Sequence, residues 1–223
     1  QAELDVKEKA LFGEASYAFS DQWTLTLGAR WFNTDIRRYS LDEGIVADGT
    51  TTVGDNDETG VNPKVLLDYY LSEDVHFYGS ATKGYRNGGV SSFIPEFCGE
   101  DVAAPSAPYD SDSLWSYELG AKSTLAEGST YLNGALFRID WDDIQQARRY
   151  ACGFSQIINA GKARSTGFEL ELITIPTEGL TLDFGVGYAD AKIRSDNPGI
   201  IPQDGDRLLQ VPEWTGSASA NYD

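Results

Sequence analysis

Apolar residues alternate with polar or small ones along most of the 223 residues, and no comparable run carries the 3.6-residue spacing of an amphipathic helix. From Leu180 one side of the alternation reads Leu180, Leu182, Phe184, Val186 and Tyr188, and the other Thr181, Asp183, Gly185, Gly187 and Ala189. The same split separates Trp23, Leu25, Leu27, Ala29 and Trp31 from Thr24, Thr26, Gly28 and Arg30. It recurs from Val61 and from Val75. The pattern predicts an all-β chain of nine strands, over roughly 9–19, 23–39, 59–71, 75–87, 113–126, 129–147, 157–175, 180–193 and 211–223.

The connections come in two alternating sizes. Short ones begin at Ser20, Ser72, Ala126 and Pro176, roughly 50 residues apart, and are rich in turn formers. Between them lie long polar stretches, roughly 40–58, 88–112, 148–156 and 194–210. Runs of roughly 11 to 19 residues exceed the usual 5 or 6 of a globular strand. They suit a tilted transmembrane strand, which needs about 9 to 11 residues, and outer-membrane barrels pair short periplasmic turns with long extracellular loops. In the sixth run Tyr131 and Trp141 share one side of the alternation, roughly 25 Å apart in height, and are expected to mark two interfacial girdles. Trp23 with Trp31, and Phe77 with Tyr85, repeat the arrangement. The opposite face, with Glu14, Arg30, Lys64, Asp68, Glu118, Lys122, Glu169, Glu171 and Asp183, reads as a wet lumen wall.

Charge narrows the partners. With 35 acidic and 17 basic side chains the net charge is -18, and the basic residues form only pairs such as Arg37-Arg38 and Arg148-Arg149. Such a chain is ill suited to a phosphate backbone, so no nucleic-acid partner is expected. No apolar run reaches the roughly 18 to 20 residues of a membrane helix. Nine strands place the two ends on opposite sides of the membrane. Since complete bacterial barrels have even strand numbers and an open sheet in lipid leaves unpaired edges, residues 1–223 are expected to be an internal part of one larger barrel domain, without a plug and without a barrel-closing C-terminal strand.

Particular residues carry more than the period. The segment Tyr78-Gly79-Ser80-Ala81-Thr82-Lys83-Gly84-Tyr85-Arg86-Asn87-Gly88-Gly89-Val90 resembles a strand of TonB-dependent outer-membrane receptors that ends in an aromatic, a basic residue and a Gly-Gly pair before a long loop. Tyr117-Glu118-Leu119-Gly120-Ala121-Lys122-Ser123 is similar to the family's Tyr-Glu-x-Gly-x-Lys-Ser strand, and Phe137 to Gln145 to the ascending strand after it. Asn159 to Ala163 with Gly167-Phe168-Glu169-Leu170-Glu171, and Val211-Pro212-Glu213-Trp214-Thr215, follow in the family's order. The resemblance implies a 22-stranded barrel with an N-terminal plug in the outer membrane of a Gram-negative bacterium. Its implied function is uptake of a scarce nutrient, foremost a ferric siderophore or similar iron chelate, with energy passed through TonB to the missing plug. The alternative is a passive porin-like channel or a surface-binding barrel on the same architecture.

Catalysis finds little material: His76 is the only histidine, so triads and multi-His metal sites lack parts. The run Asp55 to Gly60 opens like a calcium loop, but Thr59 and Leu66 occupy ligand positions, and an EF-hand is rejected. No enzyme, cofactor or resident metal is expected. Cys98 and Cys152 fall in successive extracellular loops, where thiols oxidise, and are expected to form a disulfide. Substrate contact is expected from bases and aromatics near the mouth, namely Tyr39, Arg86, Tyr109, Arg148, Arg149, Tyr150 and Phe154, because aromatics with a few placed cations suit an anionic or aromatic chelate.

Overall fold

The computed structural model describes residues 2–42, 49–91, 94–98, 107–159, 161–194 and 203–222. The strands are β1 (Ala2–Ala18), β2 (Trp23–Asp42), β3 (Thr50–Tyr70), β4 (Val75–Arg86), β5 (Gly89–Val90), β6 (Pro108–Tyr109), β7 (Asp112–Leu125), β8 (Thr130–Asp142), β9 (Gln145–Arg149), β10 (Ser155–Asn159), β11 (Lys162–Thr177), β12 (Leu180–Ile193) and β13 (Trp214–Tyr222). Nine of them form one antiparallel sheet in the order β1-β2-β3-β4-β7-β8-β11-β12-β13, and β5/β6 and β9/β10 form two small ribbons. The expected all-β fold with nine long strands is what the chain adopts. The four short turns fall where the alternation breaks, and at the last of them Thr177 pairs with Leu180 around a left-handed Gly179 (φ 81°).

Sheet register assigns the faces. Leu27, Trp31, Leu119, Leu136, Leu170, Phe184 and Val186 lie on one face with their side chains exposed, an apolar surface of the kind a soluble domain does not leave open. This is the outward, lipid-facing side. Glu14, Gly28 and Lys64 stand in one row on the other face, and Glu14 accepts a hydrogen bond from Lys64 Nζ at 2.8 Å. The expected wall residues all fall on this inward side. At about 3.3 Å per residue the 12 residues of β4 and 14 of β12 span the hydrocarbon layer even when tilted.

Four strand expectations are corrected. β1 begins at Ala2 rather than near residue 9. The stretch 40–58, expected as a loop, is largely strand: β2 and β3 remain paired to Asp42 and Thr50, with Arg37 opposite Asp55, while residues 43–48 lie outside the described residues. Outside the bilayer neither face of this extension needs to be apolar, so its alternation is masked. The sixth and seventh runs break at Asp143 (φ 55°) and Gly161 (φ 84°), whose left-handed backbone turns the chain out of the sheet, and the remainders pair with each other as β9 and β10.

The girdle expectation is corrected as well. Tyr131 and Trp141 share the inward face with Asn133, which donates to Glu171 at 2.9 Å, while Leu132 and Leu136 face outward. Both faces of this run carry large apolar residues, so alternation alone assigns it wrongly. Trp141 instead packs against buried Ile144, Ala163 and Ile193 at the long-loop end. Tyr85 is not a girdle residue either: its ring stacks on buried Phe32 with centroids 3.8 Å apart. Pairing of β3 with β4 ends at Lys64 and Thr82, and Gly60 leaves room for the Phe32 ring. The outer aromatic girdle over β7 to β13 is made by Trp115 stacked on Tyr117, and by Phe168, Tyr188 and Trp214.

Candidate functional site

The long-loop end is a built structure. Arg38 Nη1 donates to the Val90 carbonyl (3.2 Å) and Asn56 Nδ2 to the Tyr109 carbonyl (3.0 Å). Between these, the Glu58 carboxylate accepts the backbone N–H of Gly88 on Oε2 (3.1 Å) and that of Ser111 on Oε1. One side chain of β3 thus holds both ends of the 88–111 connection. A Cβ at Gly88 would run into the Tyr109 carbonyl and Glu58, which accounts for glycine there. The β5/β6 ribbon consequently lies on the inward face of the β2–β3 extension, and Val90 and Ile36 are buried there.

A second set of bonds ties this loop to the next. Asp112, buried at the start of β7, accepts Arg86 and the Gln145 amide (3.0 Å). Gln145 Nε2 donates to the carbonyls of Asn87 (2.8 Å) and Asp110 (3.1 Å). Asn159 Oδ1 accepts the Asp110 amide at 2.7 Å, and Ser91 Oγ donates to the Ile157 carbonyl at 3.2 Å. Cys98 and Cys152 are joined by a disulfide with Cα atoms 5.3 Å apart. Beside it Phe97 meets Phe154 edge to face at 6.4 Å. Backbone groups that leave the sheet are thereby satisfied by side chains rather than left to water.

The residues expected to contact substrate divide into three groups. Arg148, Tyr150 and Phe154 lie together on the β9/β10 ribbon beside the disulfide; the Arg148 guanidinium sits over the Tyr150 ring at 5.2 Å, and Tyr150 donates to Gln156 at 3.0 Å. Arg149 is exposed on the same ribbon. Arg86 is committed to Asp112 and lies over the Trp141 ring at 5.5 Å, so it braces the mouth more than it offers a free charge. Tyr109 lines a cavity of about 360 Å³ with Leu4, Val6, Ile36, Arg38 and Asn87. Tyr39 does not join them: the register puts it on the outward face of β2, opposite Val53. Arg38, Glu58, Asp112, Gln145 and Asn159 escaped the sequence reading. Apart from the Arg86–Asp112 ion pair, their partners are backbone groups of other loops, and nothing in a linear pattern announces such a bond.

Deeper in, the inward wall of β4, β7, β8, β11 and β12 carries a groove of about 530 Å³ lined by Tyr78, Glu118, Lys122, Glu169, Glu171 and Asp183. Tyr78 donates to Glu118 at 2.5 Å and Lys122 lies 5.6 Å from its ring. His76 bonds Asp68 at 2.7 Å, lower on the same wall, and lies against the Tyr70 ring. No cluster of three metal-ligating side chains occurs among the described residues.

Comparison with known proteins accords with this geometry. The metal-pseudopaline receptor CntO of Pseudomonas aeruginosa (strain UCBPP-PA14) is 27% identical over 221 residues, which is 98% of this chain and 28% of the relative. The ferric-pyoverdine M114 receptor PbuA of Pseudomonas sp. (strain M114) is 28% identical over 199 residues, 87% of this chain and 22% of the relative. The chain therefore spans less than a third of the length of these relatives. Among solved structures, the ferric yersiniabactin uptake receptor FyuA from Yersinia pestis superposes with a TM-score of 0.82 at 20% identity, over 99% of this chain and 32% of that one. The siderophore receptor PiuA from Acinetobacter baumannii gives 0.78 at 17% identity, over 99% and 32%. The match to the family described as TonB dependent receptor-like, beta-barrel, runs over residues 1–223. The chain belongs to that family of transport receptors and forms part of an outer-membrane β-barrel of a Gram-negative bacterium.

Proposed function

We propose that the intact protein is a TonB-energised receptor that takes up a metal chelate, foremost a ferric siderophore, and that residues 1–223 form nine strands of its barrel domain. A plug carried elsewhere in the protein would fill the lumen and receive energy from TonB. The metal is cargo here, held by its chelator, so the wall needs no metal ligands of its own.

The observation that carries this reading is the mouth. Here two long connections are tied to one another and to β3 by Glu58, Gln145, Asn159 and a disulfide. Such preorganisation lowers the ordering cost of binding a specific ligand. The ribbon surface with Arg148, Arg149, Tyr150 and Phe154, together with the cavity of Tyr109 and Arg38, offers cations beside aromatic rings. This is the chemistry that suits an anionic chelate with aromatic or apolar parts. The two relatives named above, one for a metal-pseudopaline and one for ferric-pyoverdine, support the ligand class.

The test is binding of a panel of ferric and other metal chelates to the purified full-length receptor, followed by uptake in cells with and without TonB. A double Arg148→Ala, Arg149→Ala substitution is expected to weaken the chelate that binds by about tenfold or more, from two charge-assisted contacts. Unchanged affinity would sink the role of this ribbon. Uptake that persists without TonB would instead favour the passive channel.

A further inference from the structure

We propose that the outward face of β7, β8 and β11 holds a phosphate-bearing lipid of the outer leaflet, its phosphate on Arg138 and Arg164 and an acyl chain in the groove beneath them. The proposal rests on the chain being part of an outer-membrane barrel and is independent of which nutrient the receptor takes up.

Two arginines are arranged here in an unusual way. Asp140 accepts the Nε–H of Arg138 on Oδ2 (2.8 Å) and the Nε–H of Arg164 on Oδ1 (2.6 Å). One carboxylate therefore fixes both guanidinium planes by their inner nitrogens, and no other acceptor among the described residues engages their terminal nitrogens. Both side chains are about half exposed, and the pair with its carboxylate keeps a net charge of +1. Terminal nitrogens of two oriented guanidiniums are the donors that recognise phosphate oxygens bidentately. Lys192, opposite Arg164 in the register, is paired with Asp190 at 2.9 Å, so this neighbouring pair leaves the net charge of the cluster at +1.

The position matches a headgroup. The cluster stands level with the outer girdle on β7, with Asp140 opposite Trp115, and Arg138 opposite Tyr117 and Thr166. One row lower, Leu136 pairs with Phe168, and below this row lies an outward groove of about 530 Å³ walled by Phe77, Leu119, Leu136, Phe168 and Leu170. Ala121 and Gly134 form its floor and are paired with each other. Two residues of strand, about 7 Å, separate Leu136 in the groove's upper wall from Arg138, and four, about 13 Å, separate Phe168 from Arg164. Phosphate site and acyl groove are thus contiguous and in the order in which a lipid presents its parts.

Charge argues for a lipid over a free anion. At a net charge of -18 the long-range field of this chain repels dissolved phosphate, so two local guanidiniums alone give weak retention. Burial of a chain in the groove adds about 0.8 kcal/mol per methylene, which a free anion lacks.

The experiment uses the full-length receptor in detergent micelles, with diphosphoryl lipid A as the probe and native mass spectrometry as the readout. Wild type is expected to retain the lipid, and Arg138→Gln with Arg164→Gln to bind it about tenfold more weakly or worse. Ala121→Phe, which fills the groove and leaves the arginines intact, is expected to weaken it as well. Heat-modifiable gel mobility checks that each barrel is folded. Retention by the double arginine variant equal to wild type overturns the proposal. So does displacement of the lipid by millimolar inorganic phosphate, which would mean a free-anion site.

Discussion

Replacing Glu58 by Gln tests the architecture of the mouth at its most economical point. The Glu58 carboxylate accepts the Gly88 and Ser111 amides, one on each oxygen. Glutamine keeps the size but turns one acceptor into an NH₂ group that faces an amide donor. One charge-assisted hydrogen bond, about 1.5 to 3 kcal/mol net, is lost outright, and the other falls to the strength of a neutral one. A local opening cost lower by about 2 to 3 kcal/mol raises the open population of the 88–111 stem by a factor of roughly 30 to 150. Hydrogen exchange of the Gly88 and Ser111 amides in the full-length receptor, measured where exchange reports the opening equilibrium, reads that factor directly. Amides in the β7–β8 ladder serve as the internal reference and are expected to stay unchanged. Exchange at Gly88 and Ser111 within twofold of wild type would refute the claim that this carboxylate holds the loop.

Replacing Cys98 and Cys152 by Ser releases a crosslink across 54 residues, worth at most about 4 kcal/mol by chain entropy and less here because Gln145 and Asn159 already hold the stems. Exchange is expected to rise in the β9/β10 ribbon while the melting transition of the barrel stays in place; a barrel that melts with the loops would contradict this separation. Gly167→Ala is expected to prevent assembly, because the added Cβ meets the Tyr188 carbonyl and stands 2.6 Å from Phe137 Cζ, whereas a Cβ at Gly28, flanked by β1 and β3, comes no closer than 3.4 Å to Glu14 and Gly28→Ala is expected to fold. Heat-modifiable mobility of the two variants on gels checks the contrast, and equal yields would contradict the packing described for β8 and β11.

The strands were legible because bilayer and lumen impose opposite chemistry on alternate residues, and the register follows once one face is known. Leu180 to Tyr188 is readable residue by residue for that reason. The same logic fails where the solvent stops differing between faces. In β8 the inward positions Tyr131, Phe137, Ile139 and Trp141 are as apolar as the outward Leu132 and Leu136, because Trp141 is covered by Ile144, Ala163 and Ile193 rather than by water. Above the bilayer the β2–β3 extension carries polar groups on both sides, so its strands read as loop. The disulfide partners were legible from compartment and topology alone. The clamps of Glu58 and Gln145, and that of Asp112 on the Gln145 amide, were not, since their acceptors and donors are main-chain atoms brought close only by the fold.

Alternate residues of these strands face lipid and lumen. Single nitroxide labels on the full-length receptor in liposomes test it most directly, at Leu27, Leu136 and Phe184 on one face and Thr26, Ala135 and Gly185 on the other. Labels at the first three are expected to collide with dissolved oxygen and to be shielded from a water-soluble nickel chelate, and labels at the second three to show lower oxygen accessibility than their neighbours. Equal accessibility on the two faces, or the reverse order, would contradict the assignment.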